Sequence, residues 1–355
     1  TQRADNTIVE SPLEGQPAHA SGVRAGDQIT HVDGSSIIGL PLHKVVSKIR
    51  GEKGTTVKLT VIREGEAKPR VFPIQRAHID IKNVSGHLLE PHHAGIGYIK
   101  VTGFVPTTVD EFDRLYADLQ KENQKLHGKG LRGLIFDLRG NSGGLLQQGV
   151  KIADRFVESG VIVEVRNRVR QDEVYRARRA GTIDLPVIVL INDGAASASE
   201  IVASAIQDNQ EGLIVGDRSF GKASVQTLFS PVLRKDYYIK LTIARYFAPS
   251  GRTIQVIGVT PDLEIPPEAA GAMPLGFREE NLSHYLRPLD AEYKSPNATL
   301  AKKVAECAEL RGIAERIHKN DPNPQLKFDF QLMKAADYME CYAGGLEGDT
   351  RAVTK

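Results

Sequence analysis

Two stretches of this chain carry residue types able to do covalent chemistry. Asn192-Asp193-Gly194-Ala195-Ala196-Ser197-Ala198-Ser199-Glu200 closes an apolar run, turns on small residues and opens a helical pattern on a serine. Ser219-Phe220-Gly221-Lys222-Ala223-Ser224-Val225-Gln226 follows a second apolar run and sets one lysine among small and apolar neighbours. A serine hydroxyl is a weak nucleophile until a base takes its proton, and a lysine serves as that base when desolvation keeps its amine neutral. The pair suits acyl transfer: Ser197 attacks a carbonyl, and Lys222 accepts the proton and passes it to the leaving amine. Gln226, four residues beyond Lys222, shares its face in a helix and its side in a strand, so it is a candidate to orient the amine. Each residue also has an ordinary role. Ser197-Ala198-Ser199-Glu200 is a capping box, in which the serine contributes about 1 kcal/mol to a helix. Lys222 alone is a solvated charge, and Gln226 a polar surface residue.

A third stretch, Asp137-Leu138-Arg139-Gly140-Asn141-Ser142-Gly143-Gly144, is a glycine-rich turn between an apolar run and a helical pattern. It lacks the lysine and threonine of a phosphate loop and the spacing of a dinucleotide fingerprint. A backbone N–H from Gly143 or Gly144, facing the serine turn, would instead help stabilise an oxyanion, together with the exposed N–H groups and positive dipole end of the helix. Gly194, Ala195 and Ala196 would leave room for a substrate backbone. His87, His92 and His93 sit with Glu90 in what reads as a surface loop, without metal-ligand spacing. Asp208, at the far end of the serine helix, is a supporting group or a local helix-end residue. No metal and no cofactor is implied.

The elements that must position these residues form three segments. Residues 1–76 hold a glycine-bounded turn, a short strand, an Asp-Gly turn, a helix over 42–50 with Leu42, Val45, Val46 and Ile49 on one face, and a half-buried strand over 56–63. Residues 77–267 alternate apolar strands (97–101, 133–138, 161–165, 186–191, 212–216) with helices (108–126, 145–158, 197–208). Near-continuous Val/Ile/Leu runs signify burial on both faces, so the segment is α/β. Its first helix carries a Thr108/Glu111 capping box and a stripe of Val109, Phe112, Tyr116 and Leu119. Residues 268–355 begin with a linker rich in proline and glycine. Two helices follow, 297–318 with a stripe of Leu300, Val304, Cys307, Leu310 and Ile317, and 323–342. They cap the core or pair with a second copy.

The whole composition limits the function. The chain has 355 residues, 41% apolar and 25% charged, with a net charge of +2. That is a globular chain of two or three domains, without the field expected of a nucleic-acid binder and without an apolar run long enough to span a membrane. No signal segment is visible, although the chain starts without methionine as if inside a domain. Cys307 and Cys341 either pair in an oxidising compartment or are two buried thiols.

Taken together, the three motifs resemble the carboxyl-terminal processing, or tail-specific, proteases: serine peptidases with a PDZ domain beside an α/β core of the crotonase/ClpP-like kind. The similarity covers nearly all of residues 1–267, and Lys222 lies 25 residues after Ser197, the family's spacing. Alanine stands at 195 where the family's pattern has a serine. The resemblance implies Ser197 as nucleophile, Lys222 as general base, Gln226 as the residue that positions the lysine, and the N–H groups of Gly143 and Ala198 as the oxyanion hole. By register it excludes Ser199. It implies a PDZ domain over 1–76, N-terminally incomplete, with a peptide groove along Leu42, Val45, Val46 and Ile49 and a gating role. It implies that the helix from Thr108 contributes to a cap over the catalytic tunnel. The implied partners are protein substrates bound by their C-terminal tails and an activator or adaptor protein, with a homo-oligomer formed through the terminal helices. The implied location is the periplasm or another exported site. A non-proteolytic binding or scaffold protein on the same fold is the alternative.

Overall fold

In a computed structural model, the chain divides into two compact units, Thr1–Lys82 and Asn83–Lys355. The structure describes all residues except 1, 4–5, 10–11, 13–15, 25, 64–65, 67, 79–81, 168–170, 179–180, 230–238, 267–277, 283–284, 287–292, 312–328 and 345–355. The linker through Gly276, the C-terminal end of the first tail helix with Ile317, and the start of the second at 323–328 therefore lie outside the described residues.

The first unit is a small antiparallel sheet with two helices. Its elements are β1 (Gln2–Arg3), β2 (Asn6–Ile8), α1 (Pro17–Ala20), β3 (Gln28–Val32), β4 (Ser35–Ser36), α2 (Leu42–Ile49), β5 (Thr56–Ile62) and β6 (Arg70–Gln75). The path runs β1-β2-β3-β5-β6, with β4 paired to β3. The alternation in β5 sends Val57, Leu59 and Val61 into the core with Val23, Ile29, Val32, Ile37, Phe72 and Ile74. Buried Asp27 is tied to Arg63 by two hydrogen bonds of 2.7 and 2.8 Å. The four apolar residues of α2 do not share one environment. Val45 is 0% exposed and belongs to the core, and Ile49 packs against it. Leu42 is exposed and Val46 half-buried. Val45 therefore packs into its own domain instead of lining an open groove, because an amphipathic helix turns the centre of its stripe inward.

The second unit is built on a sheet in the order β16-β13-β12-β9-β8-β7. Its strands are β7 (Val84–Leu88), β8 (Ile96–Val101), β9 (Gly133–Asp137), β12 (Val187–Ile191), β13 (Leu213–Gly216) and β16 (Leu263–Glu264); all pairings are parallel except β7 with β8. Helices α3 (Thr108–His127), α4 (Leu146–Ala153) and α5 (Ala198–Asp208) cover one face. A second, antiparallel sheet of β11 (Glu173–Arg176), β10 (Val161–Asn167), β15 (Ile239–Phe247) and β14 (Ser224–Phe229) joins that layer. Helices α6 (Ala298–Arg311) and α7 (Phe330–Ala343) cover the other face. The apolar strand runs are explained by this sandwiching: in β12, Val187, Val189 and Ile191 face the first layer, and Ile188 and Leu190 face α6 and α7.

Several local expectations shift. The expected Thr108/Glu111 capping box does not form: Thr107 is the N-cap residue of α3 and its hydroxyl donates to Glu111 Oε1 at 2.6 Å rather than capping a helix N–H, while Thr108 lies inside the helix and its hydroxyl donates to the Gly103 carbonyl. Helix α4 ends at Ala153, and Phe156 and Val157 beyond it are buried in turns. The tail helices cap the sheet, with Ala301, Val304, Leu332, Ala335, Ala336 and Met339 buried there. Leu310, expected on the stripe, is 88% exposed. Cys307 and Cys341 form a disulfide that joins α6 to α7.

Candidate active site

Three adjacent parallel strands, β9, β12 and β13, end side by side, with Asp137 opposite Leu190 and Ile191 opposite Gly216. The glycine loop, the serine turn and the lysine loop leave from these ends, so the motifs scattered over residues 137–226 converge where α/β sheets commonly place their sites.

The glycine loop is fastened to the serine turn through Asn141, which is fully buried. The Asn141 side-chain N–H donates to the Val101 carbonyl at 2.9 Å. The Asn141 backbone carbonyl accepts from the Ala196 N–H at 3.0 Å and the Ser199 hydroxyl at 2.8 Å. Ser199 is thus committed to structure. Gly194 packs with its Cα side against Gly140, where an added Cβ would sit 2.9 Å from the Gly140 Cα. The small residues of the turn admit the neighbouring glycine loop.

Ser197 is half-buried at the N-cap of α5, with φ 57° and ψ −113°, a left-handed backbone unusual for a residue with a side chain. Such strain persists where the surroundings hold it, and it turns the serine out of the strand-to-helix path. The Ser197 N–H donates to Glu200 Oε2 at 2.8 Å, and the Glu200 N–H returns to the Ser197 carbonyl at 2.9 Å. The Ala198 N–H, one residue into the helix, makes no hydrogen bond among the described residues. Gly143, at φ 101°, lies against this corner: a Cβ there would fall 2.8 Å from Ser197 Cβ and 3.0 Å from Ala198 N. The Gly143 N–H, however, donates to Asn141 Oδ1 at 2.9 Å, so that bond must yield before it can serve an oxyanion.

Lys222 is half-buried in the loop after β13. Its N–H donates to Glu200 Oε2 at 2.8 Å. Glu200 Oε1 accepts from the Gly221 N–H at 2.7 Å and the Ser219 hydroxyl at 2.6 Å. Burial pushes the Glu200 carboxyl up to about 7, against the lowering effect of hydrogen bonds from Ser219, Lys222, Gly221 and Ser197. The Tyr246 hydroxyl, from β15, bridges the carbonyls of Ser197, at 3.1 Å, and Lys222. The far side of the loop is held by Gln255, whose Oε1 accepts from the Ala223 N–H at 2.9 Å and whose Nε2 donates to buried Glu279 at 2.8 Å. Glu200, Tyr246, Gln255 and Asn141 were not singled out from the sequence. The capping box hinted at Glu200 and the glycine-rich motif contained Asn141 without giving it a role, while Tyr246 and Gln255 carry no local signal.

No hydrogen bond joins the side chains of Gln226 and Lys222 among the described residues. Gln226 is exposed on β14 and makes no side-chain hydrogen bond among the described residues. The strand begins only at Ser224, consecutive residues Ala223 and Ser224 are both buried, and the pairing slips between Val225 and Gln226, so the alternation assumed from Lys222 to Gln226 is broken. Asp208 works at the other end of α5, where it accepts from Ser250, Arg252 and Tyr293. His93 is buried and bonded to Glu340 at 3.3 Å, so the surface-loop reading fails for it. Among the described residues no cluster of three or more acidic, histidine or cysteine side chains is arranged to hold a metal.

The profile of peptidase family S41 matches residues 95–265, and a PDZ-domain profile matches residues 8–63. The chain is 37% identical to a carboxy-terminal-processing protease of Bartonella bacilliformis over 89% of its own length and 66% of the relative's. It is 32% identical to a carboxyl-terminal-processing protease of a Synechocystis species, over 89% of this chain and 70% of that one. The photosystem II D1 C-terminal processing protease superposes with a TM-score of 0.54 at 31% identity, covering 74% of this chain and 69% of that structure. The chain thus spans about two thirds of the length of these two curated relatives.

Proposed function

The chain belongs to the carboxy-terminal processing proteases of peptidase family S41, and from that premise we propose that it is a serine endopeptidase that cleaves protein substrates near their C-termini through an acyl-enzyme on Ser197. One observation carries the reading: Ser197, in a strained turn at a helix N-terminus, and Lys222 are held by the same buried carboxylate and the same tyrosine.

In the proposed reaction Lys222 accepts the Ser197 hydroxyl proton as Oγ adds to the scissile carbonyl. The oxyanion meets the N–H groups of Ala198 and Gly143, the latter released from Asn141. Collapse of the tetrahedral intermediate breaks the C–N bond, and Lys222 gives its proton to the leaving amine. Water then adds to the acyl carbonyl as Lys222 takes its proton, the bond from the carbonyl carbon to Ser197 Oγ breaks, and Lys222 returns the proton to Oγ as the acid leaves. Gln226 orients the lysine in the substrate-engaged state, to which β14 must adjust. Residues 1–76 act as a PDZ domain that captures the substrate tail as an added strand, through Leu42 and Val46 of α2, and gates the core. Residues 77–267 form the catalytic core and 268–355 the linker and helical region. The Cys307–Cys341 disulfide supports an oxidising, exported setting. An activator protein and self-association belong to the same proposal.

Ser197→Ala is expected to reduce peptide cleavage by about 10⁴-fold or more while thermal unfolding stays close to that of the parent. A serine-reactive phosphonate should label the parent at Ser197 and spare the variant. Retained turnover in a folded Ser197→Ala protein would remove the dyad, and an unlabelled, inactive parent would favour the binding-protein alternative.

A further inference from the structure

Among buried groups with no part in the proposed reaction, Glu200 stands out. It is 1% exposed, carries no ion pair among the described residues, and receives four hydrogen bonds of 2.6 to 2.8 Å. A helix cap needs only one of them, the bond from Ser197 N–H. The other three come from Ser219, Gly221 and Lys222, on a loop that leaves a different strand. We infer that Glu200 is the positioning residue of the dyad: one carboxylate ties the backbone of the nucleophile to the backbone of the base. The inference rests on the Ser197/Lys222 reading above.

The chemistry of the four partners dictates which form of Glu200 does this. Three are backbone N–H groups, which only donate, and the Ser219 hydroxyl accepts from the Val259 N–H at 2.7 Å and so turns its own proton to Glu200. Four donors saturate the four lone pairs of an ionised carboxylate. A protonated carboxyl must aim its O–H at one of those donors, and the isosteric amide of glutamine must aim an NH₂ at two. Either change breaks the tie without altering shape. Among the described residues, the titratable and charged groups near Glu200 are Lys222 on the loop, Tyr246 on β15, Glu279, which reaches the loop through Gln255, and Arg278, which donates to the Ser219 carbonyl at 2.9 Å. Because burial pushes Glu200 up to about 7, acidification through neutrality loosens the lysine loop.

The full chain and its Glu200→Gln and Ser219→Ala variants are compared by peptide cleavage from about pH 5 to 9 and by amide exchange of residues 217–223. Glu200→Gln is expected to keep its helical circular dichroism and its KM, to lose about 100-fold in kcat, and to exchange the Gly221 and Lys222 amides at least about tenfold faster. Ser219→Ala removes a donor to the ionised form, so the acidic limb of its kcat profile should move to higher pH. Unchanged kcat and unchanged exchange in Glu200→Gln overturn the inference. So does an unmoved limb in Ser219→Ala, which decides the matter if the glutamine variant does not fold. Should the parent neither cleave nor acylate at Ser197, the dyad reading fails, and exchange at Gly221 and Lys222 still decides whether Glu200 holds the loop.

Discussion

The two faces of the central sheet are covered in different ways. Beneath α6 and α7 the interior is apolar: Leu89, Ile96, Ile135, Ile188, Leu190, Val304, Leu332 and Met339 are buried together. Much of the polar bonding there runs from α7 and the residue before it to the sheet strands and loops, through Arg139 to Asp329 at 2.6 Å, Arg132 to Glu340, and Gln331 to the Ile265 carbonyl at 2.8 Å. Where α5 meets the loops at the strand ends, buried Asn141, Ser199, Glu200, Ser219 and Gln255 form a polar seam. Apolar burial is non-directional and supplies stability, whereas each buried polar bond fixes a direction and costs free energy if its partner is lost. The apolar packing on both faces supplies stability, and the polar seam at the strand ends aims side chains.

Substitutions can test that division. Gly143→Ala should have the largest effect after removal of the nucleophile, because its Cβ would lie 2.7 Å from the Ala196 carbonyl oxygen and 2.8 Å from Ser197 Cβ. A loss of about 100-fold or more in kcat/KM is expected, with the melting temperature lowered less than proportionately. Equal activity would mean that the glycine loop does not touch the reacting corner. Met339→Ala, on the apolar face, should do the reverse: about 2–5 kcal/mol of stability lost in denaturant unfolding, with kcat of the remaining folded protein unchanged. A parallel fall in kcat would erase the distinction between the apolar packing and the polar seam.

Gln226→Ala should cost about tenfold in kcat if the strand adjusts to bring the amide to Lys222, and nothing if its exposed position persists in turnover. Kinetics with saturating peptide separate the two. The smallest effect is on acid stability. Burial raises the Asp137 carboxyl, but Arg139 and Lys100 outweigh it and hold it at about 2, below its ordinary 3.8. The unfolded chain therefore binds this proton first. The stabilisation is complete above about pH 4 and fades as pH falls toward 2. Asp137→Asn should flatten that part of the unfolding curve; an unchanged curve would place acid sensitivity elsewhere.

Much of the second unit was legible in the sequence because parallel strands buried on both faces are written as unbroken Val/Ile/Leu runs. The expected 133–138, 186–191 and 212–216 are observed as Gly133–Asp137, Val187–Ile191 and Leu213–Gly216. The antiparallel sheet was less legible, since Ser224–Phe229 and Ile239–Phe247 mix polar and apolar residues as a partly solvated sheet does. His93 read as a loop residue because its partner, Glu340, lies 247 positions away.

The choice of Ser197 over Ser199 came from the register of the family it resembles; by itself the sequence determined which residue types could do chemistry and the order of the three motifs. Local pattern suffices for these, because a strand end, a glycine turn and a helix start are short-range events. Only the tertiary structure decided what holds them. Glu200 reads as half of a capping box, and its bonds to Ser219, Gly221 and Lys222 exist because β12 and β13 run parallel and end together. Likewise Val45 is core and Gln226 is exposed because of what packs beside them, which no spacing along the chain encodes.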